Sequence, residues 1–414
     1  MTLSFAVYGE PGEVAAYRKM AAAYMRQKPN VTIKVEASGD PVTAKVRLNG
    51  HFADGTAPDV FLTDSTALPS LVSQKQVQPV DQLLEARGVQ FGDAYERLGL
   101  EAFAADSALQ CMPDDVSPYL IFYNKRLLNP ASLAAKGEDP PTAETGWTWD
   151  EFATAARRMS RNGVKGMYLP ADLTTLTPLL RSAGADIVDD PKNPKTLTLS
   201  DGATRTALTQ ILTVARNARL TPTPAELVKE SAVSRFEHDR LGMLVGTRAL
   251  VPRLRADPDL RFDVFPLPSL GRPQTIADVT GYCISRDSRH VEDAADFLAF
   301  ASGKKGAVLT ARSGGIVPAN LAALHSVAFE QRGQFPLNVD VFGDVMRRAD
   351  VMPDPPSWPQ VVRATQPLVR RLFYAPVLNL DTLLPRIDAL SASLLNPPTP
   401  TESPSESPTE SPSG

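Results

Sequence analysis

The sequence predicts an α/β fold, and three observations predict it: strand and helix patterns alternate from the first residues, the third strand is a short apolar run, and the helices carry apolar stripes. Ser4-Phe-Ala-Val-Tyr8 reads as a strand that stops at Gly9-Glu10-Pro11-Gly12. Val14, Tyr17, Ala21, Tyr24 and Met25 then recur at helical spacing. Val31-Thr-Ile-Lys-Val35 alternates with period two, a second strand. A helix follows near Val42–Ala53, and Pro58-Asp-Val-Phe-Leu-Thr-Asp64 suits a strand covered on both faces. This order implies a mostly parallel sheet with right-handed crossovers. Ligands of such sheets lie beyond the carboxyl ends of the strands. Glu10 and Asp64 fall there; each also fits a helix cap or a loop charge.

Composition narrows the function. The chain has 414 residues, 43% hydrophobic and 22% charged, the balance of a soluble globular protein. That length suits two domains. A net charge of −4 supplies no basic field for nucleic acid. Two Cys, and four His (His51, His238, His290, His325) with no close pair, argue against a disulfide scaffold and a zinc site. No metal or cofactor is expected. The first residues, Met1-Thr-Leu-Ser-Phe, lack the basic and apolar regions of a signal peptide. The chain is thus either cytosolic or expected to begin after a removed export signal. From Asn396 onward it repeats Glu-Ser-Pro with nothing apolar to bury, so 396–414 is expected to be a disordered acidic tail.

Further elements follow in order. Thr148-Trp-Asp-Glu151 is a capping box opening a helix with Phe152, Ala155, Ala156 and Met159 on one stripe, and Trp149 is read as core. Pro178–Ala183 reads as a short helix. Leu241–Gly246 is a strand entering a helix at Thr247-Arg248, Phe262–Pro268 a strand and its exit, and Val279–Ser285 another strand. Helices are expected at Glu292–Ser302, near Pro359–Phe373 and at Leu380–Leu395.

The motifs in sequence resemble a known family. They are Pro113-Asp-Asp-Val-Ser-Pro-Tyr119 running on to Tyr123-Asn-Lys125, Trp147-Thr-Trp-Asp-Glu-Phe152, Ala183-Gly-Ala-Asp186, Gly242-Met-Leu-Val-Gly246 and Phe265-Pro-Leu-Pro268. Gly281-Tyr-Cys-Ile-Ser-Arg-Asp287 and Arg312-Ser-Gly-Gly-Ile-Val-Pro318 complete the set. Each is weak alone; together they resemble the extracellular solute-binding proteins of ABC importers, in the maltose-binding-like group, over residues 3–395. The resemblance implies a periplasmic-binding-protein-like type II fold: two α/β lobes joined by hinge segments, with a ligand cleft between them. It implies a first lobe of 1–111 plus 284–330 and a second of 112–283 plus 331–395. Crossings are expected near 111–115, 280–283 and 325–335. Cys111 and Cys283 would lie on neighbouring crossings, as a disulfide or as two buried thiols; a bond needs Cα atoms roughly 4.4–6.8 Å apart.

The resemblance also implies the site. Glu10 and Asp64 come from the first lobe, Asp115, Ser117 and Tyr119 from the crossing, and Asp186, Gly246, Thr247 and Arg248 from the second lobe. Gly281 and Tyr282 lie on the second crossing, and Arg312 and Ser313 precede the third. Trp358 fits either a stacking platform or helix-start packing. Acids and amides suit vicinal hydroxyls, and aromatic faces suit the apolar face of a sugar ring. The aromatic set is thin here: Leu173-Thr-Thr-Leu-Thr177 and Arg248 stand where rings are common. Arg248 and Arg312 suit an acid or phosphate group instead, so an anionic sugar is one expected ligand. The function implied is a monomeric, non-enzymatic receptor that closes on a sugar or sugar-like solute and delivers it to permease subunits. The implied location is extracellular, cell-surface or periplasmic, lipid-anchored in the full precursor. The alternatives are the same fold reused as a sensor or interaction module, and a cytosolic α/β enzyme; the latter lacks a phosphate loop or nucleophile elbow in this sequence.

Overall fold

The computed structural model describes residues 1–133 and 140–397; the expected tail beyond Pro397 lies outside the described residues. The first strands are β1 (Thr2–Tyr8), β2 (Thr32–Ser38), β3 (Val60–Asp64) and β4 (Val77–Gln78). A short ribbon of β5 (Ala104–Ala105) and β6 (Ala108–Leu109) precedes β7 (Cys111–Pro118) and β8 (Leu120–Asn124). Then come β9 (Lys165–Tyr168), β10 (Leu241–Gly246), β11 (Phe262–Phe265), β12 (Thr275–Ser285) and β13 (Ala349–Asp350).

Two sheets organise the chain. The first runs β13-β12-β3-β1-β2, with β4 and β7 also paired to β12. β1 is parallel to β2 and β3, as the alternating pattern predicts. The sheet is mixed, however, because β12 returns from far along the chain antiparallel to both β3 and β7. The second sheet, β11-β8-β10-β9, is mixed too. Alternation along the strands sorts side chains onto two faces. Leu3, Phe5, Val7, Leu62 and Tyr282 share one core with the helix Pro11–Gln27, while Phe61, Cys111, Val279 and Cys283 belong to the core on the opposite face. The second sheet likewise separates Ile121 and Tyr123 from Leu120 and Phe122. Burying each such Leu or Phe contributes about 1.5–3 kcal/mol.

Helix ends follow their sequence signals. In Trp149–Met159 the Glu151 amide donates to Thr148 Oγ1 at 3.2 Å, and the Thr148 amide donates to Glu151 Oε2 at 2.7 Å. Trp149 is buried, as its stripe requires. The Pro178 helix is longer than expected, Leu173–Ser182, because Asp172 caps it by accepting from the Thr175 amide at 2.8 Å.

Chain crossings differ from the expected positions. β7 and β12 pair all along the first sheet, Ala277 opposite Pro118 and Cys283 opposite Cys111. The two cysteines form a disulfide with Cα atoms 4.4 Å apart, inside the first sheet's core rather than at a crossing. The chain reaches the second sheet only after Tyr119, where β8 begins. The segment 311–330, expected in the first lobe, contributes Ala311, Val317, Leu324 and Phe329 to a core on the second sheet.

Candidate functional site

The carboxyl ends of β1 and β3 open onto one edge of the first sheet, as their shared direction requires. Because β12 is antiparallel, its first half reaches the same edge. Thr280 lies opposite Asp64 on one side and Asp115 on the other, and Asp278 lies opposite Ser117. These strand ends wall a cavity of about 510 Å³. Thr247, Ala249, Gly315, Ile316 and Met352 complete it from beyond the first sheet.

Of the expected residues, Glu10, Asp64, Asp115, Ser117 and Thr247 line this cavity. Tyr119 stands beside it and donates its hydroxyl to Asp278 Oδ2 at 2.9 Å. Asp186 lines a separate recess of about 1140 Å³, where it accepts from Arg181 Nε at 2.9 Å. Gly246 closes β10 with Leu250 against its Cα, and Gly281 packs against Phe103; neither lines the cavity. Arg312 is exposed at the end of the helix Lys304–Ala311, and Ser313 Oγ accepts from the Gly315 amide at 3.3 Å; both lie outside the lining.

Three expected ligand contacts are core residues instead. Tyr282 is fully buried, edge-on to Phe5 and Tyr17 at ring distances of 5.8 and 6.3 Å. It sits opposite Leu62 in the body of the sheet, not at its edge. Trp358 opens the helix Trp358–Tyr374 and is 4% exposed in a core of the second sheet, the packing alternative. Arg248 is 0% exposed. Its Nε and one terminal nitrogen donate to Gly314 O at 3.1 Å and Phe329 O at 2.7 Å. The rings of Phe329 and Phe342 lie 4.0 and 5.1 Å from the guanidinium carbon. Burial, with Arg255 adding like charge, pulls its pKa down to about 9. Its other terminal nitrogen is buried without a partner, and the side chain does not line the cavity, so the expected pairing with a ligand anion does not stand.

The structure adds residues the sequence did not single out: Tyr8, Glu13, Asp40, Thr66, Asp278 and Thr280. Tyr8 is the last residue of β1, and its hydroxyl oxygen is buried without a hydrogen-bond partner. Burial first, then the charges of Asp64, Asp115, Asp278 and Asp114, raise its phenol well above the ordinary value. Asp278 opens to the cleft but has protein on its other sides. That loss of solvent raises its carboxyl to about 6 against the Tyr119 hydrogen bond. Burial raises Asp115 well above the usual carboxylate range, although Ser117 Oγ donates to it at 2.8 Å and the Val317 amide at 2.7 Å. Glu13 accepts from the Glu10 amide at 3.0 Å and sits between Gly9 and Gly315; a Cβ at either glycine would collide with its carboxylate. Gly9 also needs its left-handed backbone, φ 139°.

Among the described residues, no group of His, Cys, Asp and Glu has the arrangement of a metal site, and no helix is long and apolar enough to cross a membrane. The arrangement offers carboxylates, hydroxyls and a phenol to a small polar solute.

Known proteins share this architecture. The ABC substrate-binding protein Lmo0181 from Listeria monocytogenes, solved in complex with cycloalternan, superposes with a TM-score of 0.81 at 19% identity, covering 95% of this chain and 98% of that one. The GacH receptor of Streptomyces glaucescens GLA.O superposes at 0.79 with 19% identity, covering 95% and 98%. The sugar-binding protein MalE from Xanthomonas citri gives 0.80 at 16% identity, covering 95% and 97%. At such identities the likeness concerns the fold, a type II binding-protein architecture with two lobes. Among curated proteins, the sn-glycerol-3-phosphate-binding periplasmic protein UgpB of Shigella dysenteriae serotype 1 is 26% identical over 120 residues, 28% of this chain and 26% of the relative's length. The family model for bacterial extracellular solute-binding proteins matches residues 8–308, well over half of the sequence, and the chain belongs to that family.

Proposed function

We propose that this protein is the receptor of an ABC importer, which captures a sugar or sugar-like solute between its lobes and presents it to permease subunits. The observation that carries this reading is the cavity at the strand ends, walled by first-sheet acids and hydroxyls and completed by Thr247 and Ala249 from beyond that sheet. Its volume of about 510 Å³ is in the usual range for small-molecule sites. Structural neighbours named as sugar binders, or solved with an oligosaccharide, share this fold along nearly their whole length. The relative named for sn-glycerol 3-phosphate makes a phosphorylated polyol the competing ligand class.

Binding at such a cleft works by population shift. Solute held on the first-sheet wall gains contacts to the opposite wall only in a closed form, so it favours closure. Hinge closure around a ligand is the general motion of periplasmic binding proteins, with a few hinge residues absorbing the rotation. We place the working protein outside the cytoplasmic membrane, lipid-anchored in its precursor, acting as a monomer that leaves its solute chemically unchanged.

Thermal-shift and calorimetric titration with hexoses, disaccharides and oligosaccharides test the proposal. A saturating sugar should raise the melting temperature by mass action and reduce the radius of gyration in small-angle scattering. Titrations silent toward every sugar class would overturn it.

A further inference from the structure

We infer that the cavity selects sugars that carry a basic nitrogen, amino sugars in the broad sense, over neutral and phosphorylated ones. This rests on the solute-capture reading and adds the charge of the solute. Six acidic side chains line the cavity, Glu10, Glu13, Asp40, Asp64, Asp115 and Asp278, of which Asp115 is held toward its neutral form by burial. No Lys, Arg or His is among its described lining residues. None of the six is ion-paired with a cationic side chain among the described residues. Asp40 caps the helix Pro41–Ala53 and Glu13 accepts a backbone amide, so both are partly engaged within the protein. Asp64 and Asp278 are different. Their observed side-chain partners are the hydroxyls of Thr66 and Tyr119, which hydrogen-bond a carboxylate without neutralising it.

Two independent observations point the same way. Arg248 is one of two arginines that sequence placed at this site, and it is turned into a core where Gly314 O and Phe329 O accept from two of its nitrogens while the third is buried without a partner. The buried, unpartnered Tyr8 hydroxyl lines the same cavity beside these acids, a polar atom that solute is positioned to satisfy. An adjoining recess of about 900 Å³ between the helices Pro41–Ala53 and Trp358–Tyr374 does carry Lys45, Arg47, His51 and Arg363, and it shares Tyr8, Asp64 and Thr66 with the smaller cavity, whereas Asp115 and Asp278 line the smaller cavity and not that recess. A phosphate in the smaller cavity would meet carboxylates on the first-sheet wall and no cation among the lining residues opposite, the guanidinium of Arg248 being buried behind Thr247 and Ala249. An ammonium there would make charge-assisted hydrogen bonds, roughly twice as strong as neutral ones.

The test is isothermal titration of the full chain with glucosamine, glucose and glucose 6-phosphate, and with cellobiose and its fully de-N-acetylated diamino counterpart, chitobiose. The amino members should bind about tenfold or more tighter than their neutral partners. That advantage should shrink as salt rises and screens the carboxylates. Asp64→Asn together with Asp278→Asn should abolish it, with circular dichroism confirming the fold. A neutral or phosphorylated sugar binding as tightly as its amino partner overturns this inference and leaves carbohydrate capture standing. An advantage that survives the double substitution overturns the assignment to these acids. Silence toward every sugar overturns both readings.

Discussion

On the first-sheet side, the cavity is walled by acids set at strand ends, each held by the backbone of a paired strand or the first turn of a helix. On the opposite side, Thr247 and Ala249 offer small side chains, while the neighbouring Arg248 is withdrawn into a core between Phe329 and Phe342. One wall therefore presents charge, and the other keeps its charge for packing. Side chains of similar polarity serve opposite purposes according to whether their partners are solvent-facing or buried carbonyls. The first wall also rests on a sheet stapled by the Cys111–Cys283 disulfide, which closes a loop with a sequence separation of 172.

That contrast can be broken in several places. Replacing both Cys111 and Cys283 by Ser should have the largest effect, costing about 2–5 kcal/mol of stability. Guanidinium unfolding with and without reductant would read it, and the reductant should have no further effect on the double variant. Arg248→Ala should cost about 3 kcal/mol, because it leaves two buried carbonyls unpaired and opens a void between two rings. The same variant should keep the wild-type preference among charged and neutral sugars; a lost preference would return Arg248 to the ligand.

A pH scan sharpens the comparison from the first-sheet side. Asp114 is buried and accepts the Tyr17 hydroxyl at 3.0 Å, yet burial raises its carboxyl to about 6. A folded pKa above the unfolded value of 3.8 means the native state holds the extra proton between the two. Stability from this group should therefore increase as pH falls from 7 through 6 toward 4, by about 1–3 kcal/mol. Asp114→Asn should flatten that part of the melting profile. The smallest effect is at Thr148: its replacement by Ala should cost about 1 kcal/mol by removing the cap of Trp149–Met159, without touching solute affinity.

Much of this architecture was legible because local signals agree with it. The parallel β1, β2 and β3 follow from their alternation with helices, and the Thr148 capping box predicted the helix it opens. Glu10 and Asp64 reach the cavity because the ends of parallel strands share an edge. The failures have one physical source, the unknown entry point of a long-range strand. Reading β12 from Val279 instead of Thr275 hid Asp278, a carboxylate embedded in Thr275-Ile-Ala-Asp278-Val. It also placed Tyr282 near the cleft, when the longer strand carries it into the sheet's interior. Arg248 and Trp358 misled for a related reason. Their environments come from segments distant in the chain, such as Phe329 and Phe342 for Arg248, and no local pattern encodes such neighbours. Glu13 could have been found: it lies one helical turn beyond Gly9, in a strand-to-helix turn that the sequence marks plainly.

The nest around Glu13 restricts what the protein can become. Two distant glycines, 9 and 315, hold one carboxylate with room for hydrogen alone. A methyl group at either place would wedge the acid out of its seat. Positions 9, 13 and 315 are therefore not free to drift separately, and a lineage that gives up either glycine should be found to have shortened or lost the acid as well.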